Sequence, residues 1–288
     1  MKKKLREWLA KNKYARSLYR THKGKTQIYL DYDIEFKSRW DNELGNPYLA
    51  KIIESSRDTF QENIDRLAEY KSTVDLINSG SFPFQIRWDN GFIPAFDGLS
   101  LMWAAGNAKS AYMEIGSGHS TMFAKAAILA GGKSTKIISI DPAPRTDIDV
   151  LCDDIKRQPL EDLDVSFFDR LVPGDTLFVD ISHRSFMNSD VTTFMLDVLP
   201  LIPKGVLIGI HDVFLPFDYF QTWADRAYNE QYLLACYLLS NPNYFNVQLA
   251  SYWVHQKRMH QEPLKDIWNI LGDPIRDRAP SSFWAIKN

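Results

Sequence analysis

Residues 111–127, AYMEIGSGHSTMFAKAA, decide how the rest of the chain is read. Tyr112, Met113 and Ile115 make a short apolar run of strand length, Gly116 and Gly118 interrupt it, and Met122, Phe123, Ala126 and Ala127 return at helical spacing within residues 121–129. A strand therefore passes into a helix through a turn nearly free of β-carbons. Such a turn lets a ligand approach the backbone, and the unpaired N–H groups of the new helix, with Ser120 or Thr121 as N-cap, face it with partial positive charge.

Two glycines after a strand suggest the dinucleotide fingerprint G-x-G-x-x-G, but Thr121 stands where the third glycine belongs. Glu114, two residues before Gly116, is the sharper signal. A carboxylate there opposes a pyrophosphate and suits a ligand that carries an ammonium and a sulfonium. The pattern E-x-G-x-G-x-[ST] resembles the first motif of class I S-adenosylmethionine (SAM) methyltransferases. The plainer alternative is an ordinary strand-to-helix turn with Glu114 bonded to a neighbouring loop.

Downstream the pattern repeats. Residues 136–140 are a β-branched run ending at Asp141-Pro142, residues 153–158 a weaker strand, and residues 176–181 (TLFVDI) a strand carrying Asp180. A helix over 190–199 and a strand over 206–210, ending at His211-Asp212, follow. Alternation of this kind implies a parallel sheet with helices on both faces. The tail reads as helix over 219–239, strand over 245–254, helix over 264–271 and a short strand over 282–287.

Upstream, Asn46 and Pro47 are N-cap and N1 of a long helix carrying Leu49, Ile52, Ile53, Phe60, Ile64, Leu67, Val74 and Ile77 and stopping near Asn78 and Gly80. The stretch SFPFQIRWDNGFIPAFDG, too broken by Pro and Gly for an element, is a candidate lid, and residues 98–107 are a short helix. The expected division is an N-terminal helical extension and lid over 1–90 and a catalytic domain over 91–288.

An apolar content of 45% is ample for a packed core. Residues 1–25 hold ten Lys or Arg against the single acid Glu7, so the remainder carries about −11 although the whole chain is −2. An acidic body argues against non-specific nucleic-acid binding. The basic segment, with Leu5, Trp8, Leu9, Ala15, Leu18 and Tyr19 near helical spacing, reads as a solvated helix whose apolar side packs on the body, with peripheral contact with an anionic membrane as the alternative. Cys152 and Cys236 cannot build a multi-bridge framework, and no apolar signal segment follows the basic residues. A reduced, cytoplasmic setting is the expectation.

In an open parallel sheet ligands bind beyond the carboxyl ends of the strands. Glu114 with residues 116–119, Asp141, Asp180 with His183, and His211 with Asp212 all stand there. An acid at the end of the second strand accepts hydrogen bonds from both hydroxyls of a ribose, which assigns Asp141; Gln158, after the third strand, would flank an adenine.

YMEIGSGHST, ISIDPAPR, LFVDISHRSFMNSDV, KGVLIGIHDVFLPFDY and YNEQYLL, in that order, resemble a bacterial branch of the class I SAM-dependent methyltransferases, close to the group of small-molecule and glycan O-methyltransferases. The resemblance spans residues 92–239. It implies a Rossmann-like, seven-stranded sheet whose last strand runs antiparallel, with Glu114, Gly116, Ser117 and Gly118 holding the methionine end of SAM. The expected cofactor set is those four with His119, Ser120, Asp141, Gln158 and Asp180. A hydroxyl acceptor must lose a proton, for which His183 or His211 is the candidate base with Asp180 or Asp212 orienting the ring. Some relatives in the wider family use a divalent cation instead; Asp180 and Asp212 match its ligands, while Val213 replaces an Asn, leaving Mg²⁺ an open expectation. The competing readings are an inert SAM-binding scaffold and a nicotinamide oxidoreductase, the latter disfavoured by Glu114 and Thr121. A serine hydrolase lacks the G-x-S-x-G elbow.

Overall fold

The computed structural model describes Asn12, Ala15, Ile28 and residues 31–288; the basic amphipathic segment lies outside the described residues. The chain forms two compact units, 1–36 and 37–288, and the second contains every helix and strand discussed below.

Its centre is a seven-stranded sheet in the order β3-β2-β1-β4-β5-β7-β6, built from β1 (Ala111–Ile115), β2 (Lys136–Ile140), β3 (Asp154–Lys156), β4 (Thr176–Val179), β5 (Leu207–Ile210), β6 (Phe245–Ala250) and β7 (Phe283–Lys287). Strands β1 to β5 are parallel, and β7 runs antiparallel to both β5 and β6, as the resemblance implies. The connection from β1 to β2, through helix His119–Ala130, moves along the sheet one way, and that from β4 to β5, through Asp190–Thr193 and the wider turn Phe194–Val198, moves the other. Right-handed crossovers then place these helices on opposite faces. The order reverses between β1 and β4, which is where an open sheet makes its crevice.

The interior is apolar. Trp284 of β7 is fully buried between Phe178 of β4, with ring centroids 5.5 Å apart, and Trp103, at 6.1 Å, on the helix Ala95–Asn107. Burying each such aromatic stabilises by about 1.5–3 kcal/mol. Gly209 leaves room for that indole, since a Cβ there would lie 2.3 Å from it.

The long helix expected from Pro47 onward is three: α1 (Pro47–Glu54), α2 (Arg57–Ala68) and α3 (Lys71–Asn78). Asn46 caps the first as expected, its Oδ1 accepting from the Tyr48 and Leu49 N–H groups. At the first break the Ser55 hydroxyl donates to the Ile52 carbonyl at 2.6 Å, a local bond that competes with the helical ladder. The apolar spacing runs on across the breaks because all three segments bury the same side, so periodicity alone could not reveal them. Leu49, Ile53, Phe60, Ile64, Leu67, Val74 and Ile77 share one core with the sheet, and the boundary expected at residue 90 runs through it.

The helix Ala95–Asn107 (α4) starts three residues earlier than expected, which brings Asp97 inside it. Helix α5 (His119–Ala130) has Gly118 rather than Ser120 or Thr121 at its N-cap. Helix α6 (Asp190–Thr193) opens into the wider turn. The expected helix over 219–239 is a 3₁₀ segment, Gln221–Arg226, then a turn with Ala227 at φ +53° and helix α7 (Glu230–Ser240). The expected strand over 245–254 ends at Ala250, and Ser251–Gln256 is helix α8, followed by α9 (Lys265–Leu271). No helix among the described residues is long and apolar enough to cross a membrane.

Candidate functional site

The parallel ladder aligns the strand ends, pairing Ile115 with Ile140 on one side and Val179 on the other, and Val179 with Ile210. It then continues one residue further, with the Gly116, Asp180 and His211 N–H groups donating to the Ile140, Ile115 and Val179 carbonyls at 2.8–2.9 Å. Gly116, Asp141, Asp180 and His211 therefore leave the sheet along one edge.

Gly116 adopts φ +82°, and a Cβ on it would stand 1.8 Å from the Asp180 carbonyl oxygen. Only glycine fits both the dihedral and the contact. Gly118 faces open space, with nothing within 4 Å of an added Cβ. Its N–H donates to Thr121 Oγ1 at 3.1 Å, and that hydroxyl donates to Glu114 Oε2 at 2.6 Å. This relay explains the displaced N-cap: the hydroxyl of Thr121 is pulled toward Glu114, and that of Ser120 also bonds there.

Glu114 is fully buried and braces the glycine loop from behind rather than facing the open edge. Burial pushes its carboxyl up to about 8, against the Ser120 and Thr121 hydroxyls, with Asp180 adding to the rise. The folded protein thus holds this proton more tightly than the unfolded chain, whose value is near 4.5. Stability linked to Glu114 is full below pH 4.5, falls as pH rises toward 8, and is level above it. Glu114→Gln is expected to flatten this slope by on the order of 1–3 kcal/mol, read from urea unfolding at pH 5 and pH 8. An unchanged slope in the variant would place the titration elsewhere.

Asp141 is half-buried with both carboxylate oxygens oriented by backbone, Oδ2 accepting from the Ser117 N–H and Oδ1 from the Ala143 N–H, each at 2.8 Å. Ser117 and Ser139 share a hydroxyl hydrogen bond of 2.7 Å beneath it. Arg157, not Gln158, reaches this corner: its Nη1 donates to the Asp141 carbonyl at 3.0 Å and to Ser139 Oγ at 3.2 Å, and its Nη2 pairs with Asp149. Gln158 donates to the Asp162 carbonyl, within its own loop. Phe92, from the expected lid, is half-exposed and stacks on His119 with centroids 5.5 Å apart, under the guanidinium of Arg145. The rest of that loop is anchored, with Trp88 buried and Asn90 bonded to the backbone of Arg87, Phe92 and Ile93.

Across the crevice two histidines and two aspartates form a ring. His183 Nε2 lies 3.3 Å from Asp180 and 3.4 Å from Asp212, while His211 Nδ1 lies 3.7 Å and 3.6 Å from the same two. The outward nitrogens are held as well: His183 Nδ1 by Glu230 at 2.9 Å, His211 Nε2 by Asp97 at 3.4 Å. Burial works against a charge on His183, but the Asp180, Glu230 and Asp212 carboxylates override it and hold the imidazole well above its ordinary range. His211 is raised likewise, burial being overcome by Asp180, Asp97 and Asp212. Asp180 is driven the other way: burial alone would raise it, and the two imidazoles hold it well below the carboxylate range. His183 and Asp212 take positive φ, +61° and +55°, a backbone cost of about 1–2 kcal/mol each that persists only where the surroundings enforce it.

Of the expected site residues, Gly116, Ser117, Gly118, His119, Ser120, Asp141, Asp180, His183, His211 and Asp212 thus gather along one edge, while Glu114 is buried behind the glycine loop and Gln158 bonds within its own loop. Four contributors carried no signal of their own. Asp97 lies at the start of α4, Glu230 opens α7, Ser281 donates from its hydroxyl to Asp212 at 3.1 Å, and Arg278 approaches Asp97 and Asp212 from the loop before β7. Val213, at the expected position of an Asn ligand, is buried and offers the site no donor atom.

No curated protein matches the chain. Residues 113–213, from within β1 to just past β5, match the family described as a methyltransferase domain, which supports a class I methyltransferase and implies SAM as its methyl donor.

Proposed function

We propose that the protein transfers the methyl group of SAM to a hydroxyl of a small molecule or glycan. The observation that carries this reading is the position of Asp180: its carbonyl packs on Gly116 of the glycine loop and its carboxylate belongs to the histidine ring. A cofactor cradle and a proton-handling group thus meet at one residue. The chain suits SAM in three respects: the open space at Gly118, the N-terminus of the twelve-residue helix α5, and an acid, Asp141, held ready for two ribose hydroxyls. SAM, when bound, supplies an electrophilic methyl group on a sulfonium. The residues around it bind and orient, so positioning supplies most of the acceleration.

A hydroxyl must give up its proton as it attacks. A neutral histidine is the expected acceptor; the surrounding carboxylates outweigh burial and raise both His183 and His211, which favours their charged forms. In that form neither ring has a lone pair for the proton, so it passes to the Asp212 carboxylate that faces both rings, and the imidazolium charges stabilise the developing oxyanion. Asp141→Ala is expected to weaken SAM binding ten- to hundredfold, as loss of hydrogen bonds to a charged acceptor worth about 1.5–3 kcal/mol would do. Calorimetry showing unchanged affinity removes the ribose role. His183→Ala is expected to lower turnover more than SAM affinity, and label transfer from SAM to any extract fraction separates an enzyme from an inert scaffold.

One arrangement favours a second reading, in which a divalent cation helps to bind and deprotonate the acceptor. Both imidazoles have their outer nitrogens fixed by carboxylates and their inner nitrogens turned to Asp180 and Asp212, the pattern of outer support seen around metal-bound histidine. Among the described residues no group of three or more His, Cys, Asp or Glu is already arranged to hold an ion. Melting curves after EDTA treatment and on adding back Mg²⁺ or Zn²⁺ decide between the two.

A further inference from the structure

We infer that the acceptor is a small anion, carrying a carboxylate or phosphate that two arginines at the rim of the histidine ring receive. This rests on the methyltransferase reading for the word acceptor, but the binding site it names does not. The turn at Ala227 folds Tyr228 back over His183, with ring centroids 4.6 Å apart, and Trp223 stands 5.8 Å from Tyr228. Arg226 stands over Trp223, its guanidinium carbon 3.8 Å from the ring centre and 5.5 Å from that of Tyr228. Arg184, the residue after His183, covers Tyr228 at 4.9 Å and is held by the Arg226 carbonyl at 2.7 Å and the Ser182 carbonyl at 3.0 Å.

Two guanidiniums are thus pre-oriented over an aromatic wall that leads to the ring. Neither has a carboxylate partner among the described residues, and the Arg226 guanidinium donates no hydrogen bond there. Unpaired arginines beside a site whose floor is Asp97, Asp180, Asp212 and Glu230 are chemically selective. The ring sets its two imidazoles against its four acids, whereas the rim carries two arginines with no carboxylate partner among the described residues, so an acceptor is oriented with its charged end at the rim and its hydroxyl inward. A planar fork with N–H groups to spare binds carboxylate or phosphate in the bidentate manner.

The test uses the full chain and three phenols of like shape: 4-hydroxybenzoate, 4-hydroxyphenyl phosphate and the uncharged 4-hydroxybenzamide. Calorimetry at low salt is expected to show at least one anion binding tenfold or more tighter than the amide, with an affinity that falls as salt rises. Carboxylate and phosphate are told apart by which of the two binds. Arg226→Gln is expected to reduce that affinity at least fivefold and Arg226→Lys less, with melting temperature unchanged; Arg226 is the informative position because its side chain ties no backbone, unlike Arg184. If the amide binds as well as both anions, if neither anion binds, or if Arg226→Gln leaves the anion's affinity intact, the inference is overturned. Failure of SAM to bind while the anion still does would sink the methyltransferase reading and leave the arginine site standing.

Discussion

Gly116→Ala is expected to destabilise the fold by more than about 4 kcal/mol and to abolish measurable SAM binding, the largest single effect foreseen for this chain. The positive φ alone accounts for about 1–2 kcal/mol with a β-carbon present. The rest comes from overlap. The added methyl would lie 1.8 Å from the Asp180 carbonyl, which is backbone and cannot swing aside. Relief requires β1 and β4 to part where the Asp180 N–H donates to the Ile115 carbonyl at 2.8 Å, opening the crevice between cradle and ring. Gly118→Ala is the comparison, because a Cβ there meets nothing within 4 Å. Urea unfolding of the two variants side by side checks the prediction, and equal losses would show that the Asp180 contact is not the cause.

Asp97→Ala should come next, with a loss of about 3–5 kcal/mol, as when one partner is removed from a buried charged network. Asp97 is fully buried, and its carboxylate accepts from the Ser281 N–H at 2.8 Å, the Ser282 N–H at 3.0 Å and the Ser282 hydroxyl at 2.6 Å, besides facing His211. Truncation leaves these donors without an acceptor and a charged imidazole without its outer carboxylate. Asp97→Asn keeps the size and one acceptor, so it is expected to retain more stability but not the charge opposite His211. Denaturant midpoints for the pair test this, and matching values for Asn and Ala would mean that hydrogen-bond acceptance at this position contributes little.

The strand-turn-helix unit and the acids at the strand ends were legible because their signals are local. Gly116 announces its dihedral, and β-branched runs such as residues 136–140 announce their strand. The same reasoning predicts a parallel sheet, since that depends only on alternation, but not the order of its strands. What escaped is the part assembled from a distance. Asp97 sits among aromatics that read as a broken loop, and its partners come from residues 281–282. Glu230 lies within the quoted YNEQYLL run, yet nothing near it in sequence says that His183 will stand 2.9 Å away. The helix breaks after Glu54 and Ala68 escaped for the opposite reason, because the apolar period survives them. The surroundings of the histidines were not legible either, because the four carboxylates that raise the two rings come together from separate parts of the chain.

Strand β7 lies between β5 and β6 although it follows both in the chain, and β6 joins the sheet only through it. During synthesis, therefore, β1 to β5 can pair as they emerge, while β6 must wait without a neighbour for a segment more than thirty residues downstream. The same late segment carries Ser281 and Ser282, which donate to Asp97, and Ser281 also lies 3.4 Å from His211. A nascent chain accordingly completes the strands that carry Gly116, Asp141 and Asp180 before the segment that fastens Asp97 has been made, so translation itself sets the order in which the two sides of the crevice are assembled.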